Sequence, residues 1–253
     1  MTRTERSLRV EALVLRHSDW GEADRLLTIF TREAGKLRII AKGARKIKSR
    51  KAGHLEPFTR VTLMLAHGHD LWIVTQAETI DAYQKLREDL EKTGYAAYVV
   101  ELLDRFTYEE GENRSLFQLI IETLERIANS DQAFLAVRYY EMRLLDLLGY
   151  RPELIHCVKC KEVIVAEDQF FSALLGGVVC PGCGSAMEGV WHISMTTLKY
   201  LRHFQRSSYA DALKATLTSG IQHELEWIIQ NYLTYHLERK INSTSFIREV
   251  RRV

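Results

Sequence analysis

The spacing of apolar residues changes once along this chain, and that change constrains the fold more than any other feature. Up to about Tyr83 the apolar positions recur every second residue; beyond it they recur every three to four. In the first regime Leu8 to His17, Asp24 to Arg32, Lys36 to Lys42, Phe58 to Leu65 and Leu71 to Thr79 read as five short strands. Turn chemistry separates them: Ser18-Asp19-Trp20-Gly21-Glu22, then Glu33-Ala34-Gly35, then Ala66-His67-Gly68-His69-Asp70. Short strands with no long helix among them fit a small closed barrel, which leaves no sheet edge to protect. The five-stranded oligonucleotide-binding barrel has this strand count.

The period switches near Asp81–Lys85, and helices follow. Leu90, Ala97, Val100, Leu103 and Phe106 mark a long one, and Ser115-Leu-Phe-Gln118 reads as a capping box opening a second. Ser130-Asp131 caps a third that stops at Gly149, Ser194 starts a fourth, and the last long one spans roughly Ser219 to Lys240. The fold class is thus α+β and multidomain. An oligonucleotide-binding barrel covers residues 1–82, and an α-helical domain covers 83–253 with a cysteine module inserted at 154–190.

The 253 residues carry a formal charge of only +2, but the charge is uneven. Residues 1–60 hold 15 Lys and Arg against 7 Asp and Glu, while the remainder holds 20 against 26. The cationic excess concentrates where the third strand ends. Between Glu33 and Glu56 there is no acidic residue, yet Lys36, Arg38, Lys42, Arg45, Lys46, Lys48, Arg50 and Lys51 all fall there. Leu37, Ile39 and Ala41 alternate with Lys36, Arg38, Ile40 and Lys42, a strand with one buried face and one largely basic face. From Gly43 the chain reads as a small, basic, flexible loop running to Pro57. A strand that delivers such a loop suits the tracking of a phosphate backbone, with no reading of sequence. The competing reading is a solvated surface loop. Eight uncompensated cations repel one another unless a polyanion relieves them, which favours the first reading.

All four cysteines fall in Cys157-Val-Lys-Cys160 and Cys180-Pro-Gly-Cys183, with 19 residues between the pairs. Two knuckles at that separation are a zinc signature, because a two-residue turn lets both thiolates of a pair face one ion. Four thiolates fill a tetrahedral shell and leave no position for water, so one structural Zn2+ is expected rather than a catalytic metal. Disulfides are the competing reading, disfavoured in a cytoplasmic chain. The N-terminus lacks an apolar h-region and there is no run of eighteen apolar residues, so the expectation is a cytoplasmic protein without a membrane partner.

Other constellations are weaker. His67, His69 and Asp70 read as turn polars before metal ligands, and His156 as a neighbour supporting the cysteines. Trp20, Trp72 and Tyr83 lie in or beside the strands and could stack bases, although core packing competes. On the third helix Arg138, Tyr139, Tyr140 and Arg143 cluster. Arg138, Tyr139 and Arg143 would form an exposed groove for a short acidic peptide, against the alternative of snorkelling arginines. Ser243 to Val253, with Arg248, Arg251 and Arg252, reads as a disordered tail. No Walker loop, nucleophile elbow or paired catalytic carboxylates appear, so the chain does not read as an enzyme.

Several of these residues carry a family resemblance. The run Gly21-Glu22-Ala23-Asp24-Arg25 through Thr31, then Gly35-Lys36-Leu37, Ala41-Lys42-Gly43-Ala44-Arg45, Ser49-Arg50 and Gly53-His54-Leu55-Glu56-Pro57-Phe58 resembles the RecO family of bacterial recombinational-repair proteins. The likeness continues through Leu148-Gly149-Tyr150 and the four cysteines to Ser245-Phe246-Ile247-Arg248-Glu249. It implies an oligonucleotide-binding barrel, a helical domain and a zinc module. It also implies binding of single- and double-stranded DNA, annealing of complementary strands, and loading of RecA with RecR. Contact with the acidic C-terminal tail of single-strand-binding protein through the helical domain, a link to RecF, and association with the nucleoid belong to the same implication. An RNA-binding protein on the same plan is the alternative, to be separated by a preference for the 2′-hydroxyl.

Overall fold

The computed structural model describes residues 7–109 and 111–251. Strands β1 (Ser7–Trp20), β2 (Asp24–Thr31), β3 (Gly35–Ala41), β4 (Arg60–His67) and β5 (Trp72–Asp81) close into a barrel in the order β1-β2-β3-β5-β4. All neighbours are antiparallel except β3 and β5, which pair in parallel through Ile39 with Trp72 and Ile40 with Ile73. The period-two alternation sends Val10, Ala12, Val14, Leu27, Ile29, Ile39, Ala41, Val61, Leu63, Leu65 and Val74 inward. β1 is long enough to serve both neighbours, pairing with β4 over its first half and β2 over its second, with a bulge between Val14 and Arg16.

The connection from β3 to β4 is not the flexible loop expected. Ala44 and Leu55 are buried within the barrel core and close one end of it. Gly43, at φ +65°, makes the turn that lets its amide donate to Asp24 Oδ1 at 2.7 Å. The Arg45 amide donates to the Ala23 carbonyl, and His54 pairs with Thr79 at 2.7 Å.

The helices do not form one body. The chain divides into two compact units: residues up to Ser130 together with those from Asn242, and Asp131–Ile241. The switch of period at 81–85 lies inside the first. There α1 (Gln84–Arg87), α2 (Leu90–Phe106) and α3 (Arg114–Asn129) follow the barrel, and Phe30 on the outer face of β2 stacks on Phe117 of α3 at 6.5 Å. The cap of α3 is Asn113, whose side chain accepts from the Leu116 amide at 3.0 Å, and not the Ser115 box. The short Asn side chain one residue before the helix reaches the orphan amide, whereas Ser115 already lies inside the first turn.

The tail is also ordered: Ser243–Val250 forms α9 (the last helix) against α2, while Arg252 lies outside the described residues. A Cβ at Gly94 would stand 3.1 Å from Ile247 and 3.2 Å from Phe246, so the glycine admits this close approach. The Glu101 carboxylate accepts from the Asn242 and Ser243 amides at 2.9 and 2.8 Å, placing a negative charge at the positive end of α9.

The second unit holds α4 (Ala133–Leu147), a three-stranded sheet of β6 (Gln169–Ser172), β7 (Gly177–Val179) and β8 (Trp191–Ile193), and four further helices. These are α5 (Pro181–Gly184), α6 (Met195–Arg206), α7 (Tyr209–Ala212) and α8 (Ser219–Leu237). The N-cap position of α4 is Gln132, which makes no side-chain capping bond, not the Ser130-Asp131 pair; Ser194 does cap α6, accepting from the Thr197 amide. Glu224 of α8 ties these elements, accepting from Ser194 N, Ser194 Oγ and Thr197 Oγ1 at 2.6 to 2.7 Å.

Candidate nucleic-acid interface and cysteine centre

The cations of the third strand and its loop separate into two groups. Lys36 emerges on the outer face of β3 but is largely enclosed, its side chain 12% exposed. Its ammonium donates to the carbonyls of Asp104 and Thr107 and sits 3.2 Å from Asp104 Oδ1, satisfying the C-terminal end of α2. The phosphate role expected for Lys36 is therefore corrected to a helix-capping one. Arg45 spans the barrel end, donating to the carbonyls of Gly21 and Glu22 and pairing with Asp19 at 3.2 Å. Lys51 donates to the Val74 carbonyl at 3.0 Å, and Arg38 faces Glu109 at 3.8 Å. Lys42, Lys46, Lys48 and Arg50 are exposed and make no side-chain hydrogen bond or ion pair with the described residues.

The loop that presents these four is braced at both ends. At its start the bonds from Gly43 and Arg45 hold it against the β1–β2 turn. At its end Glu56 accepts from Arg25 at 2.8 Å and pairs with His17 at 3.3 Å. Burial pushes the Glu56 carboxyl up, but the hydrogen bonds and charges of Arg25 and His17 outweigh this and hold it below the usual carboxylate range. The result is a rigid turn whose own polar needs are met by backbone and core, with four ammonium or guanidinium groups left facing water. Such an array neutralises phosphates and reads no base edge.

The four cysteines converge as their spacing predicts. Their sulfurs all lie within 4.8 Å of one another, with Cys160 and Cys180 Sγ 3.8 Å apart. A tetrahedral ion at about 2.3 Å from each sulfur requires a separation of roughly 3.8 Å, so the donor set fits zinc in number, chemistry and spacing. The first knuckle is anchored by Cys157 N to the Glu162 carbonyl and Val158 N to the Val178 carbonyl; the second is the single turn α5. Burial pushes the Cys157 thiol up, yet amide donors from Cys160, Cys180 and Lys159 overcome it and bring it down to about 6. The Cys183 thiol is pushed up to about 12, first by the neighbouring Cys180 sulfur and then by burial. Four thiolates this close need a cation among them. His156 turns to Glu153 at 3.8 Å, and neither His67 nor His69 joins a metal-type cluster among the described residues.

Models of the N-terminal and C-terminal parts of recombination protein O match residues 5–83 and 87–245. The chain belongs to the recombination protein O family. DNA repair protein RecO of a Roseiflexus species is 40% identical over 249 residues, covering 98% of this chain and 88% of that protein. The RecO proteins of Pelotomaculum thermopropionicum and Dehalococcoides mccartyi are 37% and 35% identical, covering 94% and 92% of this chain and 93% and 91% of those proteins. In this RecO-family chain no helix among the described residues is long and apolar enough to cross a membrane.

The groove expected on α4 needs correction. Arg138 is only 1% exposed and forms a buried ion pair with Glu141 at 3.1 Å, its guanidinium 4.9 Å from the centre of the Phe134 ring. A fully desolvated arginine with an internal carboxylate is not available to a peptide. Tyr139 and Arg143 do stay together, the guanidinium 5.0 Å from the ring centre, and Arg143 donates to the Ser207 carbonyl at 2.7 Å. Ser207 lines a cleft with Lys199, Tyr200, His203, Asp211 and Lys214, all within 199–216, where Lys214 pairs with Asp211 at 2.7 Å. The sequence pattern does not reveal it because the fold-back of α7 on α6 brings these residues together. Among the aromatics, Tyr83 is core and Trp72 packs on the barrel core, whereas Trp20 is 51% exposed.

Proposed function

We propose that this protein is a non-enzymatic mediator of recombinational DNA repair, with the barrel as its DNA-binding domain. It binds single- and double-stranded DNA by neutralising phosphates, anneals complementary strands, and helps RecA onto strands coated with single-strand-binding protein, with RecR as a partner. The observation that carries this reading is the set of four cations without a partner among the described residues, Lys42, Lys46, Lys48 and Arg50, on a braced loop at the end of a closed barrel. Annealing requires no chemistry from the protein: a cationic surface lowers the repulsion between two polyanions. The cysteine centre holds one structural zinc ion, with Cys157, Cys160, Cys180 and Cys183 as its ligands; a filled shell supplies folding energy rather than a reactive water. Tyr139 and Arg143, beside the cleft of Lys199 and Tyr200, offer cations and aromatic faces suited to an acidic tail peptide, Lys214 of the same cleft being paired with Asp211.

The test is fluorescence anisotropy of a labelled single strand over a salt series. Changing Lys42, Lys46, Lys48 and Arg50 to Gln should weaken binding and flatten the slope of log K against log salt by about 3, roughly 0.7 for each phosphate no longer neutralised. An unchanged slope and affinity would place DNA elsewhere and sink the reading.

A further inference from the structure

The geometry points to Trp20 and Ile47 as base contacts, which make this surface favour unpaired strands over duplex. This rests on the DNA-binding reading above and adds to it. Trp20 ends β1 and is 51% exposed, though an indole is normally among the more buried side chains of a folded protein. Ile47 has no cover at all, with an exposure of 104%, and sits between Lys46 and Lys48, which are also free. A single exposed apolar residue needs no explanation. Here two occur on segments that the structure ties directly together. The Arg45 amide donates to the Ala23 carbonyl at 2.9 Å, and its guanidinium donates to the Gly21 and Glu22 carbonyls in the turn that follows Trp20.

Nor is either residue exposed because its backbone is loose. The turn carrying Ile47 is closed by Lys46 N to the Gly43 carbonyl at 3.2 Å and Ser49 N to the Lys46 carbonyl at 2.8 Å, while Ala44 beside it is buried in the core. The occupant follows from charge complementarity. The free cations on the joined loop are Lys42, Lys46, Lys48 and Arg50. On the Trp20 side Asp19 is paired with Arg45, and Glu22 is the one exposed carboxylate without a partner among the described residues. Four free cations thus stand against one free anion, so the ligand is a polyanion, and the ligand atoms that meet indole and isoleucine must be apolar. Nucleobases on a phosphate backbone satisfy both requirements. Stacking on an aromatic platform accepts any base, which suits a protein that reads no sequence. Bases within a duplex are already stacked on one another and present no free face, so the contact is made with single strands.

The measurement compares wild type with Trp20→Ala, Trp20→Phe and Ile47→Ala on three ligands: a thymidine oligomer, an abasic oligomer of equal length, and a duplex. Trp20→Ala should weaken thymidine-oligomer binding about tenfold, within the range for removal of one stacked base, with Trp20→Phe retaining most of the affinity. Ile47→Ala should have a smaller effect in the same direction. Duplex and abasic binding should change less than about twofold, and the salt slope should not move, because every phosphate keeps its cation. Wild type should show quenching of tryptophan fluorescence on binding, reduced in Trp20→Ala. Equal weakening on all three ligands would make Trp20 a structural residue, and no weakening on any would overturn the inference. The Gln variant of the four cations separates this from the broader reading. If it binds normally the DNA site itself is misplaced; if it fails while Trp20→Ala and Ile47→Ala bind normally, only the base contacts are wrong.

Discussion

The connection 42–59 and the cysteine segment 154–168 both lack regular strands or long helices, and the molecule holds them in opposite ways. The first is fixed from the inside. Ala44 and Leu55 are in the barrel core, and its other anchors are backbone amides, carbonyls and the Arg25–Glu56–His17 group. Arg45 and Lys51 join these anchors through the Gly21, Glu22 and Val74 carbonyls, and Lys42, Lys46, Lys48 and Arg50 are left over for a ligand. The second buries Leu154 and Ile164, but its turns converge on four sulfurs rather than on a core. Its reactive side chains are used in its own closure. The contrast shows that what pins an irregular segment decides which of its side chains remain for function.

The largest effect expected from breaking either device is at the sulfurs. Cys180→Ser removes one ligand, and structural sites of this kind contribute on the order of 10 kcal/mol of folding energy. Metal analysis should fall from one ion per chain to none, and thermal unfolding should show that the second unit has lost structure. DNA affinity at the barrel loop should survive; if the variant keeps its ion and its melting temperature, the sulfurs are not what closes the segment. Leu55→Ala comes next. Truncating a fully buried leucine costs about 2–5 kcal/mol. The loop should then become a site of proteolysis and lose DNA affinity, even though no cation has changed. Retained affinity with lowered stability would mean that the loop does not need its core anchor to present the cations.

Which of these devices can be read from the residues alone follows from how local each signal is. The five strands declare themselves because alternation is a two-residue pattern, and the cysteine centre because each knuckle is set within four residues. Lys36 looks like a phosphate ligand in the sequence because its true partners lie 68 and 71 residues away at the end of α2; nothing near it in the chain distinguishes it from Lys42. Arg138 turns inward for a similar reason, since its carboxylate Glu141 sits one turn on and only packing decides that both are buried. The loop reads as flexible because its plugs, Ala44 and Leu55, are single apolar residues without period. Helix α9 is not legible because its docking depends on Gly94 and Glu101, about 140 to 150 residues earlier in the chain.

Within the cation array the comparison sharpens. Lys36→Met should cost about 1–3 kcal/mol, since the Asp104 and Thr107 carbonyls lose a charged donor in a largely enclosed position. The salt slope of DNA binding should stay at its wild-type value. A flattened slope would return Lys36 to the phosphate-binding set and erase the distinction between paired and free cations.

The smallest effect, at Glu56, tests the outer brace of the loop through pH. Its carboxyl titrates below the ordinary 4.5 because Arg25 and His17 favour the charged form by more than burial opposes it. A depressed folded-state value means that the unfolded chain takes up the proton first. The stabilisation is therefore fully present above pH 4.5 and drains away as pH falls through the lower folded value. The side chain is 41% exposed, so solvent screening keeps the contribution to a fraction of 1 kcal/mol. Glu56→Gln should lower the urea midpoint slightly at neutral pH, and the difference from wild type should close on acidification. A gap that stays constant with pH would show that Glu56 holds the loop by packing and hydrogen-bond geometry rather than by its charge. The brace would then resemble the uncharged anchors at Ala44 and Leu55 rather than stand as a third means of holding the loop.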